Sequence, residues 1–167
     1  AARLPEASLA AAPERRNVER REGEDVMGCL ETNAEARRAD LFRAAWSRDT
    51  SADPDGWEPA NPAWGQCAVT AVAARRALGG RVLKVTARLP DGQVIGHYFN
   101  EIGGRIVDLT ACQFPPGTEI PYGEAAPRRR GHPDTAAYVL SAPGTRERYR
   151  ALRKRLRLSD VRAALTA

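Results

Sequence analysis

"GHYFNEIGGRIVDLT", residues 96–110, is the stretch on which the fold turns. Two strand-like runs flank Gly103-Gly104, a pair that favours a tight hairpin turn. If the two glycines form the loop, Ile102 lies opposite Arg105, His97 opposite Thr110 and Phe99 opposite Asp108. His97, Phe99 and Asp108 then share a face, with the imidazole and the carboxylate at diagonal positions within reach of each other. A one-residue change in loop length would send them to opposite faces. A His–Asp pair thus requires this turn.

Upstream, "RVLKVTARLP" (81–90) carries Val82, Leu83, Val85 and Thr86, a β-branched run that predicts a strand. Pro90-Asp91-Gly92 turns the chain back. Before it, "NPAWGQCAVTAVAARRALGG" (61–80) predicts a helix that begins near Gln66 or Cys67 and ends at Leu78. Val69, Val72, Ala73 and Leu78 fit one buried face, and Gly79-Gly80 is a C-terminal stop. A helix followed by three antiparallel strands is an α+β pattern.

The flanks are less patterned. Residues 1–35 mix Ala, Pro, Glu and Arg and read as a flexible arm, with a nascent helix at 14–22. Residues 36–167 read as a single domain. "RADLFRAAWS" (38–47) places Leu41, Phe42, Ala45 and Trp46 at helical spacing. Residues 48–65 are turn-rich, with Trp57 and Trp64 as apolar anchors. Residues 112–140 are rich in Pro and Gly and read as a surface wrap. A last helix spans about Thr145 to Leu156 on a stripe of Tyr149, Leu152 and Leu156, and a short turn follows Ser159 as its N-cap.

Of the 167 residues, 43% are hydrophobic and 28% charged, which is ordinary for one globular domain with a core. No apolar run approaches the roughly 18 residues of a membrane span, and "SLAAAP" is too short for a signal peptide. The expected setting is cytoplasmic. Three cysteines, Cys29, Cys67 and Cys112, do not make a disulfide framework. With two histidines and no C-x-x-C pair, a structural zinc site is not expected, a mixed Cys67/His97/Cys112 site being the remote alternative. The net charge of +5 is local: residues 146–162 hold eight basic and two acidic side chains, and the remainder is nearly neutral. Nucleic-acid binding by this helix is the weaker reading, because its apolar stripe implies packing on the domain with Arg and Lys toward water.

Cys67 stands where a helix begins. Free N–H groups and the positive end of the dipole favour a thiolate there, and the thiolate is the nucleophile. An imidazole beside it would take the proton, and a carboxylate would orient the imidazole. Cys67, His97 and Asp108 therefore read as an acyl-transfer triad needing neither metal nor cofactor. The Cys67 N–H and a side-chain amide from Asn61 or Gln66 are candidate oxyanion donors, and Trp64 is a candidate wall of the substrate site. Each residue also has a plainer reading. Cys67 alone would be a small core residue, Asp108 a local turn-former in "DLT", and Asn61 a turn residue before Pro62. Cys112 is expected to pack under the sheet. His132, expected in a solvated loop, is the reserve base.

The stretches "AAWSRDTS", "NPAWGQCAVTA", Gly79-Gly80, "GHYFNEIGGRIVDLTACQF" and "TRERYRALRKRL" resemble the YunG-like family of small bacterial proteins over residues 44–156. "GQC" followed by His and then Asp is also similar to the papain and transglutaminase-like cysteine enzymes. That resemblance implies a compact papain-like α+β fold and a Cys67-His97-Asp108 triad. It does not supply a substrate; the triad itself is read as that of a cysteine hydrolase or acyltransferase attacking an amide or thioester carbonyl, with a peptide, amide or other acyl substrate as partner. The 30-residue step from Cys67 to His97 is shorter than in the larger enzymes of that group, so a reduced cleft is expected. The alternative is a non-catalytic peptide- or protein-binding module on the same scaffold.

Overall fold

The computed structural model describes residues 33–157 and residue 160. The expected arm (through residue 32), the nascent helix at 14–22 and the N-cap at Ser159 lie outside the described residues. Among the described residues four helices and a three-stranded antiparallel sheet follow in the order α1 (Asn33–Ala45), α2 (Cys67–Leu78), β1 (Arg81–Arg88), β2 (Val94–Ile102), β3 (Arg105–Val107), α3 (Thr135–Ser141) and α4 (Pro143–Arg155). The class is α+β, as the hydrophobic pattern requires. The strands stand in the order β1-β2-β3.

The helix α2 begins at Cys67 and stops where Gly79 N–H closes on Arg75 O at 2.8 Å. Its Val69, Ala71, Val72, Ala73 and Ala74 are buried, and this small-residue face lets it lie close against the sheet. Asn100 of β2 donates its side-chain N–H to Ala71 O at 2.9 Å, which ties strand to helix. Phe42 of α1, fully buried, and Trp46 pack on the same core, and the Trp46 indole donates to Thr70 Oγ1 at 2.9 Å. Tyr149, Leu152 and Leu156 are also buried in it, so the stripe of α4 packs as its spacing predicts. The opposite face of the sheet holds a smaller core of Leu83, Val85 and Phe99, against which Ile106, Ile120 and Tyr122 pack.

The hairpin has the expected register: Ile102 pairs with Arg105, Glu101 with Ile106, and Asn100 with Val107. Gly103 and Gly104 take φ of 60° and 79°, as a two-residue turn with left-handed central residues demands. The ladder ends at Val107, however, so the third strand is shorter than the sequence run suggests. Asp108 accepts a hydrogen bond from Thr110 N–H at 3.0 Å and turns the chain out of the strand. His97 and Asp108 consequently meet beyond the end of the ladder rather than as diagonal partners within it.

Two further expectations are corrected. The 112–140 segment is not all irregular, because α3 begins within it, capped by Asp134, whose Oδ1 accepts from Ala137 N–H at 2.8 Å. Cys112 does not pack under the sheet: it is exposed, in the short 3-10 turn Ala111–Gln113. The segment also adds single bridges to β1, Ala126 to Lys84 and Glu119 to Arg88. Among the described residues no helix is long and apolar enough to cross a membrane.

Candidate active site

Cys67 is the first residue of α2, and the loop before it fixes its approach. Trp64 N–H bonds to Asn61 O at 3.1 Å and Gln66 N–H to Ala63 O at 3.0 Å. Cys67 is half-buried. Its thiol lies in hydrogen-bonding contact with the His97 side chain. His97 is fully buried, with its ring 5.0 Å from that of Phe114, edge to face, and 6.0 Å from that of Phe99.

The other partner of His97 is Asp108. Nε2 stands 2.5 Å from Asp108 Oδ2, and both side chains are almost wholly out of water, at 0% and 3% exposed. A carboxylate so placed assigns the hydrogen to Nε2 and leaves Nδ1 to face the thiol. The carboxylate is saturated with donors. Tyr122 O–H donates to Oδ2 at 2.8 Å, while the Thr110 N–H and hydroxyl donate to Oδ1 at 3.0 and 3.3 Å. Burial alone would raise the Asp108 carboxyl, but the bonds from His97, Tyr122 and Thr110 outweigh it and hold the group below its ordinary range. Burial alone would likewise depress His97. The hydrogen bonds and charges of Asp108 and Cys67 overcome it and push the imidazole up to about 9. Burial and the adjacent carboxylate raise the Tyr122 hydroxyl well above its usual value.

Two residues of this cluster carry no signal in the sequence. Tyr122 is one of them. The other is Gln113, only 4% exposed, whose Oε1 accepts from Gly65 N–H at 3.3 Å and whose Nε2 donates to Thr110 O at 3.0 Å. With both amide ends so fixed, the second N–H of Nε2 points at His97 Nδ1, 3.3 Å away. A lone Gln after "TAC" and a lone Tyr in a Pro-rich loop belong to no periodic pattern. Only the folded chain brings them to the site.

Asn61, Gln66 and Trp64 have partners of their own. Asn61 Nδ2 donates to Gln113 O at 2.8 Å, which ties the loop before the thiol to the segment after Asp108. Gln66 is fully buried and donates to Ser47 O at 3.0 Å. The half-buried Trp64 gives its indole N–H to Asp53 Oδ2 at 2.8 Å. His132 lies in the loop before α3, its ring 5.8 Å from that of Tyr138, and is half-buried rather than fully solvated. Among the described residues no three His, Cys, Asp or Glu side chains converge as metal ligands would.

The family model described as "YunG protein" matches residues 35–159. The chain belongs to the YunG family. The matched span contains Cys67, His97 and Asp108. One relative, an "Uncharacterized protein YunG" of Bacillus subtilis (strain 168), is 32% identical over 74 residues. That alignment covers 44% of this chain and 57% of the relative, so the chain spans less than two thirds of the relative's length. No solved structure matches.

Proposed function

We propose that this YunG-family chain is a cysteine-dependent hydrolase or acyltransferase acting on a peptide, amide or other acyl substrate through Cys67, His97 and Asp108. Its helix-borne thiol and strand-borne imidazole are papain-like in arrangement. One observation carries the reading: the thiol contacts an imidazole whose far nitrogen stands 2.5 Å from a buried, fully hydrogen-bonded carboxylate. A histidine kept only for packing has no need of a dry carboxylate partner, which is costly to desolvate.

In this reading His97 Nδ1 holds the Cys67 proton in the resting site, and the Sγ thiolate attacks the carbonyl carbon. The S–C bond forms as the C=O π electrons move to oxygen. The Cys67 N–H at the start of α2 and the second N–H of Asn61 Nδ2 are assigned to that oxyanion. The imidazolium then protonates the leaving amine or thiolate as the carbonyl re-forms. Water or an amine, relieved of a proton by His97, resolves the acyl-enzyme. Asp108 stays ionised throughout and holds the ring. Tyr122 and Thr110 hold Asp108, and Trp64 walls the approach to the thiol.

The test is the rate of Cys67 alkylation by iodoacetamide at pH 6, read by peptide mass spectrometry, with exposed Cys112 as the reference thiol in the same molecule. Cys67 is expected to outpace Cys112 on the order of a hundredfold, and the advantage to vanish in His97→Ala. A Cys67 that reacts no faster than Cys112, with or without His97, would sink the triad and leave a peptide-binding module as the better reading.

A further inference from the structure

A cleft of about 220 Å³ lies where β1 meets the 121–128 segment, lined by Lys84, Thr86, Pro121, Glu124 and Arg128 among others. Its base is pinned by a two-way bridge: Lys84 N–H bonds to Ala126 O at 3.1 Å, and Ala126 N–H to Lys84 O at 3.2 Å. Two cations face one carboxylate there. Among the described residues neither Lys84 nor Arg128 forms an ion pair, although Arg75, Arg81 and Arg88 each find one.

The Lys84 side chain is held in place. It runs over the sheet with Nζ 5.6 Å from the centre of the Tyr98 ring. Gly96, its diagonal neighbour on β2, leaves the room, since a Cβ on Gly96 would fall 3.0 Å from Lys84 Cε and 3.3 Å from Nζ. On the other wall, Arg128 N–H bonds to Thr135 Oγ1 at 2.9 Å, at the start of α3. The following turn closes with His132 N–H on Arg129 O at 2.8 Å and holds Arg130 at φ 42°, a left-handed conformation that an arginine adopts at a cost. The Tyr98 hydroxyl senses the charge of Cys67 as well as those of Arg128 and Arg130, so the thiol and the two arginines lie within Coulombic reach of one side chain. A half-buried ammonium and a guanidinium, neither held in an ion pair, suit anionic oxygens.

We propose that this cleft binds an anionic group of the substrate, the oxygens of a carboxylate or a phosphate, while the attached acyl carbon reaches Cys67. The assignment rests on the thiol chemistry proposed above and adds the substrate class.

The test compares alkylation of Cys67 by anionic iodoacetate and neutral iodoacetamide at low ionic strength, in the full chain, as a ratio of rate constants. In Lys84→Gln/Arg128→Gln the ratio is expected to fall on the order of fivefold with the iodoacetamide rate unchanged. Arg150→Gln/Lys154→Gln removes the same charge from α4 and should leave the ratio unchanged. Gly96→Ala keeps every charge but displaces the amine, and should lower the ratio part of the way. Added inorganic phosphate or glutarate should bring the native ratio down to that of the cleft variant, and the anion effective at the lower concentration names the group. An unchanged ratio in the cleft variant, an equal fall in the α4 variant, or no effect of either anion would overturn the proposal. Because the ratio can be read on any accessible thiol, it judges the cleft even if His97→Ala leaves the iodoacetamide rate untouched, the outcome that would instead refute the triad.

Discussion

Each oxygen of Asp108 has its own pair of donors. Oδ1 takes the local turn through Thr110 N–H and hydroxyl, and Oδ2 takes His97 and Tyr122. The local turn and the histidine contact, rival readings of one residue in the sequence, coexist because a carboxylate offers about four acceptor sites. Gln113 acts on the opposite nitrogen. Its Nε2 hydrogen points at the Nδ1 lone pair, a lone pair that only neutral imidazole possesses, so the contact favours the uncharged ring. Gln113→Leu should therefore raise the pH at which His97 titrates, and it should cost about 1–3 kcal/mol because Gly65 N–H loses its acceptor, while Thr110 O keeps the backbone N–H of residue 113. With only two histidines in the chain, the ring resonances of His97 can be followed by NMR, and His97→Ala assigns them. A downward or absent shift would mean that Gln113 serves the backbone alone.

At the scale of elements, the site depends on how closely β2 and the start of β1 are fitted. Gly80, the link between α2 and β1, sits at φ 73°, and a Cβ there would fall 2.1 Å from Glu101 O of β2. Backbone cannot step aside as a side chain can. Gly80→Ala should destabilise the fold by about 2–4 kcal/mol, while Gly104→Ala, at φ 79° with nothing within 4 Å, should cost only about 1 kcal/mol. Urea midpoints for the two variants decide it, and equal losses would refute the steric account. Hairpin, helix start and stop, and the α4 stripe were legible in the sequence because each rests on neighbouring residues: a Gly pair, a 3.6-residue period, a terminal Gly. The end of β3 was not, since a β-branched run gives no warning that the Asp108 side chain will capture Thr110 N–H. Helix α3 was hidden by its seven residues, too few for a period, although Asp134 marks its start. Exposure of Cys112 follows from the same early end of β3, which sends the chain into a 3-10 turn instead of along the sheet.

For the whole molecule, the buried pair couples the chemistry to folding. In the folded chain His97 holds its proton up to about pH 9, against an ordinary value of 6.5. Below 6.5 the ring is protonated in both states and its stabilising contribution is complete. Between 6.5 and 9 the unfolded chain has released a proton that the folded chain keeps, so stability declines, and above 9 the contribution is gone. Asp108 works in the other direction: its folded value lies below the ordinary 3.8, so its contribution is present above that value and fades as acid protonates the folded carboxyl. The two leave a plateau between about pH 4 and 6.5. Measured by urea unfolding in Cys67→Ala, where no thiol can hand its proton to the ring, the chain should lose stability above pH 6.5 relative to Cys67→Ala/His97→Gln, whose neutral amide has no proton to give up. Parallel curves for the two proteins across that window would mean that His97 is already neutral in the folded chain at pH 6.5. In that case the thiol proton would move only once substrate is bound, and the resting site would hold a thiol beside a neutral imidazole.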